Sequence, residues 1–498
     1  MTKNIVDNSI FPDPAYRETV LAPLFEGVKQ HYAHFMGQIN RAHLVMLSDT
    51  AILNSQQVKQ ICTALEEIDK ETDIDALTYT GEFEDYFFLV DHLLREKLGD
   101  LGGALHTARS RNDMDHTLFK MALRAKGHGL LTQVQRLTEV MIDKAQAERD
   151  TLIVAYTHGQ PAQPSTFGHY LAAAIEVLLR DGARLNAALD DIEHCPMGAA
   201  AITTSGFAID RQQISDLLGF AAPLMNSYGC IASVDYVTGW YSAMKLVFLH
   251  LGRVIQDMAF WSAFEVGQLY VPNALVQISS IMPQKRNPVP IEHLRHLSSA
   301  TVGRCDTIVN VMHNTPFTDM NDSEGEVQQA GYSAFDSASR VLSLLESLIP
   351  ACSINSENVR RNTQAACITI TELADSIVRE EQLTFRQAHQ VAADTAKTVL
   401  EQKLPLAEGY EDFCEAFVQR IERPAQMSKH AFEQAVSAEV FVQRRDRIGG
   451  PAAKSMDQAL DNYRATLAQQ RVATAVRNDR QLAAQKQLQH AFSALKEL

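Results

Sequence analysis

Apolar residues recur at spacings of three, four and seven along most of the chain. Between positions 170 and 192, Leu171, Ile175, Leu178, Leu185, Leu189 and Ile192 form one such stripe, the pattern of an amphipathic helix. From 232 to about 271 apolar residues run nearly all the way round, which describes a helix buried inside a bundle. Strand-like alternation is almost absent. The stretch 197–210 is rich in small residues, Thr and Ser and reads as a loop, whereas the Gln-rich tail 469–490 reads as helix. These patterns predict an all-α chain built on a bundle of long helices.

Glycines cluster at 98–106 (LGDLGGALH) after a helical pattern, a helix stop and domain edge. A second change comes near 362–371. Three domains follow: an N-terminal helical domain at 1–107, a central long-helix domain at 108–362, and a C-terminal helical domain with an extended tail at 363–498. A chain of 498 residues suits that count, at roughly 100–200 residues per domain.

Composition narrows the class. Gly (24) and Pro (16) are scarce, which excludes collagen-like and Pro/Gly-rich disordered chains. A formal charge of −15 makes nucleic acid or an anionic membrane an unsuitable main partner. The seven cysteines are scattered and never form a CxxC pair, as expected of a reducing, cytoplasmic setting without structural zinc. Residues 1–18 show no basic stretch followed by an apolar core, so no secretory signal is expected. No stretch is long and uncharged enough to predict a membrane span.

Three polar clusters interrupt this apolar scaffold. The first, HTARSRND at 106–113, offers Arg forks that match a carboxylate, with Ser and Asn as neutral donors. Composition alone favours the plainer reading, a solvated loop with ordinary helix caps. The second, YTHGQPAQPSTFGH at 156–169, sets His158 beside Thr157 and ahead of Gln163, in what reads as an apolar helical context. A histidine can move protons near neutral pH, but among 17 histidines a lone one is weak evidence. The third, QISSIMPQKRNP at 277–288, reads as a loop because of Pro283 and Pro288. Its serines need cationic or N–H neighbours such as Lys285 to act as bases; a turn with a solvated Lys fits equally well.

In this order the three clusters resemble the signature regions of the fumarase/aspartase superfamily, most closely those of argininosuccinate lyase. SSIMPQKRNP matches the superfamily's GSSxMPxKxNP, with Ile278 in place of the leading Gly. Stretches 83–103, 196–211 and 370–390 have argininosuccinate-lyase counterparts as well, so the similarity spans residues 30–450. The resemblance implies a mostly helical three-domain fold and a homotetramer around a 20-helix core. Each active site would combine the three regions from three subunits.

It also implies an anti elimination that releases fumarate, with no metal or organic cofactor. In those terms Ser279 is the base. Lys285 and Asn287 hold the carboxylate where charge develops. Ser110, Arg111 and Asn112 bind the succinyl part, and Thr157 contacts a carboxylate. His158, paired with Glu292, delivers a proton to the leaving nitrogen, and Gln163 completes the wall.

The amine end departs from the family. The segment that surrounds the amino-acid part in argininosuccinate lyase corresponds to PFTDMNDSEGEV at 316–327, where its Tyr, Gln and Lys become Asp319, Glu324 and Val327. Phe87 replaces a His, and Gln38 replaces a Ser. Losing a Lys and gaining two carboxylates favours a cation. The expected substrate is therefore an N-(1,2-dicarboxyethyl)amine whose leaving amine is a diamine or diamino acid, as in the ethylenediamine-N,N′-disuccinate (EDDS) lyases. Genuine argininosuccinate cleavage is the close alternative. An inert structural homologue is remote, because the signature loop is intact beyond Ile278.

Overall fold

The computed structural model describes residues 11–498; residues 1–10, part of the N-terminal reading above, lie outside them. The chain is almost wholly helical, as its periodicity requires. Helix α1 (Ala33–Asp49) and α2 (Tyr86–Leu98) precede the 37-residue α3 (Arg111–Ala147). A hairpin, β1 (Leu152–Thr157) and β2 (Gln160–Thr166), leads into α4 (Phe167–Ile192). After α5 (Asp235–Ser262), the two-residue strands β3 (Gln277–Ile278) and β4 (Arg286–Asn287) open α6 (Val289–Val311), followed by α7 (Gly325–Ala351). Helices α8 (Ile370–Glu381), α9 (Phe385–Gln402) and α10 (Tyr410–Ile421) come next, and α11 (Ala453–Ala494) ends the chain.

Helices α3 to α7 pack side by side around one apolar core. Gly127 on α3 shows how closely: a Cβ there would stand 2.9 Å from Leu189 and 3.1 Å from Trp240, so only glycine lets α4 and α5 approach. Trp240 is itself wholly buried and stacks on Phe335 of α7. Close packing of this kind fixes where the helix ends point, and the polar clusters sit at those ends.

Two expectations need correction. The apolar run expected as helix to about 271 stops at Ser262, because the chain turns at Gly267 (φ +57°) and then pairs Leu269–Tyr270 with Ser353–Ile354. His158 does not lie in a helical context either. It sits at the tip of the β1–β2 hairpin, whose strand residues Ile153 and Val154 are β-branched and whose Pro161 and Pro164 cannot serve a helix interior.

Residues 367–436 gather a separate apolar cluster around Phe413, Phe417 and Phe432. The tail behaves differently. Met456, Leu460, Leu467, Leu488 and Phe492 of α11 join the main core, so this 42-residue helix returns along α3 and α4. Between cluster and tail, buried Glu372 accepts from Arg379, Arg444 and Arg445 at 2.6, 2.7 and 3.0 Å. Its three guanidinium partners hold its carboxyl below the usual range against the opposing effect of burial. No helix among the described residues is long and apolar enough to cross a membrane.

Candidate active site

Helix α3 begins on a cap that also builds part of the site. Ser110 Oγ accepts the Asn112 N–H at 3.4 Å, and Asp113 Oδ1 accepts the Ser110 N–H at 3.0 Å, a reciprocal capping box. The other Asp113 oxygen accepts the Gly198 and Ala200 N–H groups, both at 2.9 Å. Burial pushes this carboxyl up to about 6, opposed by those backbone donors. Asn112 donates to the Ala201 carbonyl at 3.2 Å, so the 197–210 loop is fastened over the helix start. Both readings of this cluster meet here: Ser110 is a cap, and its neighbours face a loop-covered corner.

Arg111 is less free than a carboxylate binder should be. Its guanidinium reaches Glu84 at 3.2 Å, Asp85 at 2.6 Å and Asp115 at 3.9 Å. Glu84 and Asp85 stand just before the first residue of α2, and Asp115 lies on α3 four residues after Arg111.

At the hairpin tip His158 has φ +53° and Gly159 φ +74°, the pair of left-handed residues that a two-residue type I′ turn demands. The turn exposes Thr157 and His158. Behind it, wholly buried Gln268 accepts the Val154 N–H at 2.8 Å and donates to the Val154 carbonyl at 3.3 Å. Sequence reasoning missed this anchor, which ties the hairpin to the segment entering the signature loop. Gln163 donates to Thr371 Oγ1 at 3.3 Å. A cleft of about 640 Å³ runs beside the hairpin, with His158, Gln163, Tyr170, Asp257 and Arg445 in its walls.

The signature loop is a small hairpin, with Gln277 opposite Asn287 and Ile278 opposite Arg286. Within it Ser279 Oγ accepts the Met282 N–H at 3.0 Å and the Ile281 N–H at 3.4 Å. Two donors aimed at one hydroxyl oxygen favour its alkoxide, the form a serine base requires. Arg286 braces the loop by donating to the Val271 carbonyl and to Asn273 Oδ1 at 2.7 and 2.9 Å. Lys285 and Glu292 are exposed, with Glu292 on the first turn of α6. No hydrogen bond within one chain joins His158 to Glu292 or to Ser279 among the described residues.

Asp319 and Glu324 lie near the start of α3. His116 Nε2 stands 3.6 Å from Asp319 Oδ1, and Glu324 converges on the same point. Burial first, and Asp319 second, push Glu324 up to about 8, whereas the His116 imidazole holds Asp319 below its ordinary value. Burial likewise raises Asp115 to about 7. An adjoining cavity of about 130 Å³ is lined by Glu84, Asp85, Phe87, Arg111, Asp115 and Glu324. Phe87 packs on His106 at 5.2 Å. Gln38 is not brought here; it bonds His34 at 2.8 Å in a separate pocket. His116 and Asp115 were not singled out from sequence, yet they follow Asn112 and Arg111 by four residues and so share their helix faces.

Comparison with known proteins now decides the family. A lyase family model matches residues 26–303, and a model of the argininosuccinate lyase C-terminal region matches 367–442. A protein of Agrobacterium fabrum named argininosuccinate lyase 2 is 58% identical over 463 residues, covering 93% of this chain and 92% of its own. The chain belongs to the argininosuccinate lyase family.

Argininosuccinate lyase 1 of Shouchella clausii is 32% identical over 89% of both chains. The crystal structure of an EDDS lyase in complex with formate superposes with a TM-score of 0.85 at 26% identity, covering 98% of this chain and 99% of that one. A class II fumarase from Schistosoma mansoni shares the fold, with a TM-score of 0.66 at 15% identity, covering 85% of this chain and 91% of its own. The resemblance read from the signature regions therefore holds, and so does the all-α fumarase/aspartase-like architecture. This member of the argininosuccinate lyase family is a carbon–nitrogen lyase that produces fumarate.

Proposed function

We propose that this lyase cleaves an N-(1,2-dicarboxyethyl)amine whose leaving amine carries an extra cation, a diamine or diamino acid adduct of the EDDS type. The observation that supports this is the acidic corner: Asp85, Asp115, Asp319 and Glu324 gather there around one engaged Arg111. An ammonium group is favoured in such a corner and a carboxylate is not. Release of arginine from argininosuccinate is the second reading, and the 58% identical relative named for that activity favours it.

In either case the chemistry is the same. Ser279 Oγ takes the proton from the carbon next to a carboxylate, leaving an aci-carboxylate dianion. Lys285 and Asn287 stabilise that charge, while Ser110, Asn112 and Thr157 hold the succinyl carboxylates, with Arg111 ordering the corner. The C–N bond then breaks to give fumarate, and the amine nitrogen takes up a proton from His158, directly or through water. Glu292 from another subunit would fix the His158 tautomer. Gln163 closes the wall. A homotetramer that shares each site between three subunits is part of this proposal, as is a cytoplasmic setting.

The test is fumarate formation, read by ultraviolet absorbance, from argininosuccinate and from EDDS in parallel. Turnover of the diamine adduct alone is expected. Fast turnover of argininosuccinate, equal in wild type and in an Asp319→Tyr/Glu324→Gln variant, would overturn the cationic-amine reading.

A further inference from the structure

The C-terminal tail reaches the active-site region through the two stems of the 197–210 loop. One stem leaves α4 at Glu193 and runs through His194–Cys195, parallel to Ala222–Pro223. The other returns along the short helix Arg211–Leu217 to a turn at Gly219, where φ is +69°. Arg480 of α11 donates to both, to Glu193 Oε2 at 2.5 Å and to the Gly219 carbonyl at 3.3 Å. Glu193 is buried and also faces Arg124 at 3.7 Å and His128 at 3.3 Å. Against the effect of burial, His128 and the two arginines hold its carboxyl below the ordinary value. From α3, Arg124 donates to the Leu218 and Gly219 carbonyls at 2.9 and 3.0 Å. A Cβ at Gly219 would stand 3.2 Å from Gln481 and from Ala484, so α11 lies directly on this turn.

These stems carry a loop under backbone strain. Ala200 (φ +51°) and Thr204 (φ +66°) are non-glycine residues in the left-handed region, a conformation that persists only where the surroundings fix it. At its near end the loop gives the Gly198 and Ala200 N–H groups to Asp113 and accepts the Asn112 side-chain amide on the Ala201 carbonyl. We propose that Arg480 is a positioning residue for the fumarate-forming half of the substrate. Through Glu193 and Gly219 it sets the 197–201 backbone, and through that backbone the Asn112 side chain. The inference rests on the reading of Asn112 as a group that holds a succinyl carboxylate. Helix α11 thereby serves the active site as well as the core. Arg477, three residues earlier on α11, provides the control, because all its hydrogen bonds go to Asn186 and Asp190 of α4.

The experiment uses full-length protein and reads fumarate binding by calorimetry, with kcat and KM for argininosuccinate and EDDS alongside. Asn112 holds the ground state and the transition state alike, so misplacing it raises KM and leaves kcat nearly level. Arg480→Gln is expected to weaken fumarate binding and raise KM about tenfold, the lower end for one hydrogen bond to a charged group. Arg480→Lys keeps a cation for Glu193 but gives up the Gly219 carbonyl, and its loss should be intermediate. Arg477→Gln should lower the melting temperature and leave fumarate binding unchanged. Measuring well below each melting point separates affinity from unfolding; should Arg480→Gln not fold, Arg480→Lys is compared with Arg477→Gln in its place. Unchanged fumarate binding in the folded Arg480 variants, or an equal loss in Arg477→Gln, would overturn the proposal. Asn112→Ala tells the two readings apart. A loss there with none in the Arg480 variants sinks the positioning role and keeps the succinyl reading; no loss there overturns the reading of Asn112 itself, and this route with it.

Discussion

Arg111 Nη2 lies 2.6 Å from Asp85 Oδ2, while Asp85 Oδ1 accepts the Phe88 N–H at 3.1 Å as the N-cap of α2. One carboxylate therefore joins the starts of two helices, α2 and α3. Replacing Arg111 by Gln removes the fork and leaves Asp85 and Asp115 facing each other without a cation. A loss of about 1–3 kcal/mol is expected, because a charged group half-taken from water loses its partner. Thermal unfolding reads it. If Arg111 instead acted mainly on substrate, the variant would melt normally and only KM would rise.

Two glycine substitutions should have opposite signs. Gly159 has φ +74° at the hairpin tip, and no atom lies within 4 Å of where a Cβ would stand, so Gly159→Ala meets backbone strain and no clash. About 1 kcal/mol of destabilisation follows from forcing a non-glycine residue into the left-handed region, with a fall in kcat as His158 is displaced. Gly129 lies inside α3 with equally open space and helical backbone, where alanine gains about 0.5–1 kcal/mol. Equal melting shifts in the two variants would refute the turn assignment.

The long helices were legible because their apolar stripes repeat over many turns. Residues Leu171 to Ile192 announce α4, and the Gly-rich stretch before Ser110 announces the start of α3. The His158 hairpin was hidden by its length: six or seven residues of strand give too few alternations to outweigh the apolar run. Its turn chemistry, His-Gly between Thr157 and two prolines, was the available signal. Motif spacing singled out Ser279, His158 and Asn112 but not His116, which becomes conspicuous only when α3 meets the 319–324 segment. The pairing of Gln268 with Val154 has no local signature at all, since the partners are 114 residues apart.

Sharing of the site between subunits can be read by mixing. One chain type carries Ser279→Ala and lacks the proposed base; the other carries His158→Asn and lacks the proposed proton donor. Each alone should fall by a factor of about 10²–10⁴ in kcat. If these residues meet from different subunits, equal amounts refolded or co-expressed together should restore about one site in four. Fumarate absorbance measures the recovery. No recovery, with mixed oligomers verified by a size tag, would mean that Ser279 and His158 act from one chain.

Glu324 sets the last expectation, through its raised carboxyl. Folded, it holds its proton up to about 8; unfolded, it releases it near the ordinary Glu value of about 4.3. Between those two points the folded chain binds more protons, so its stability falls as pH rises. The contribution is fully present below about pH 4 and lost on passing pH 8, with Asp115, raised to about 7, adding in the same direction. The limiting slope is about 1.4 kcal/mol per pH unit for each proton of difference. Glu324→Gln stays neutral throughout and should flatten the fall in melting temperature between pH 5 and pH 8. Substrate affinity runs the opposite way: an ammonium-bearing amine binds the ionised carboxylate, so KM should decrease toward pH 8 in wild type and stay level in Glu324→Gln. A flat wild-type KM profile, with the stability slope present, would mean that Glu324 is a buried acid of the fold and never faces the amine.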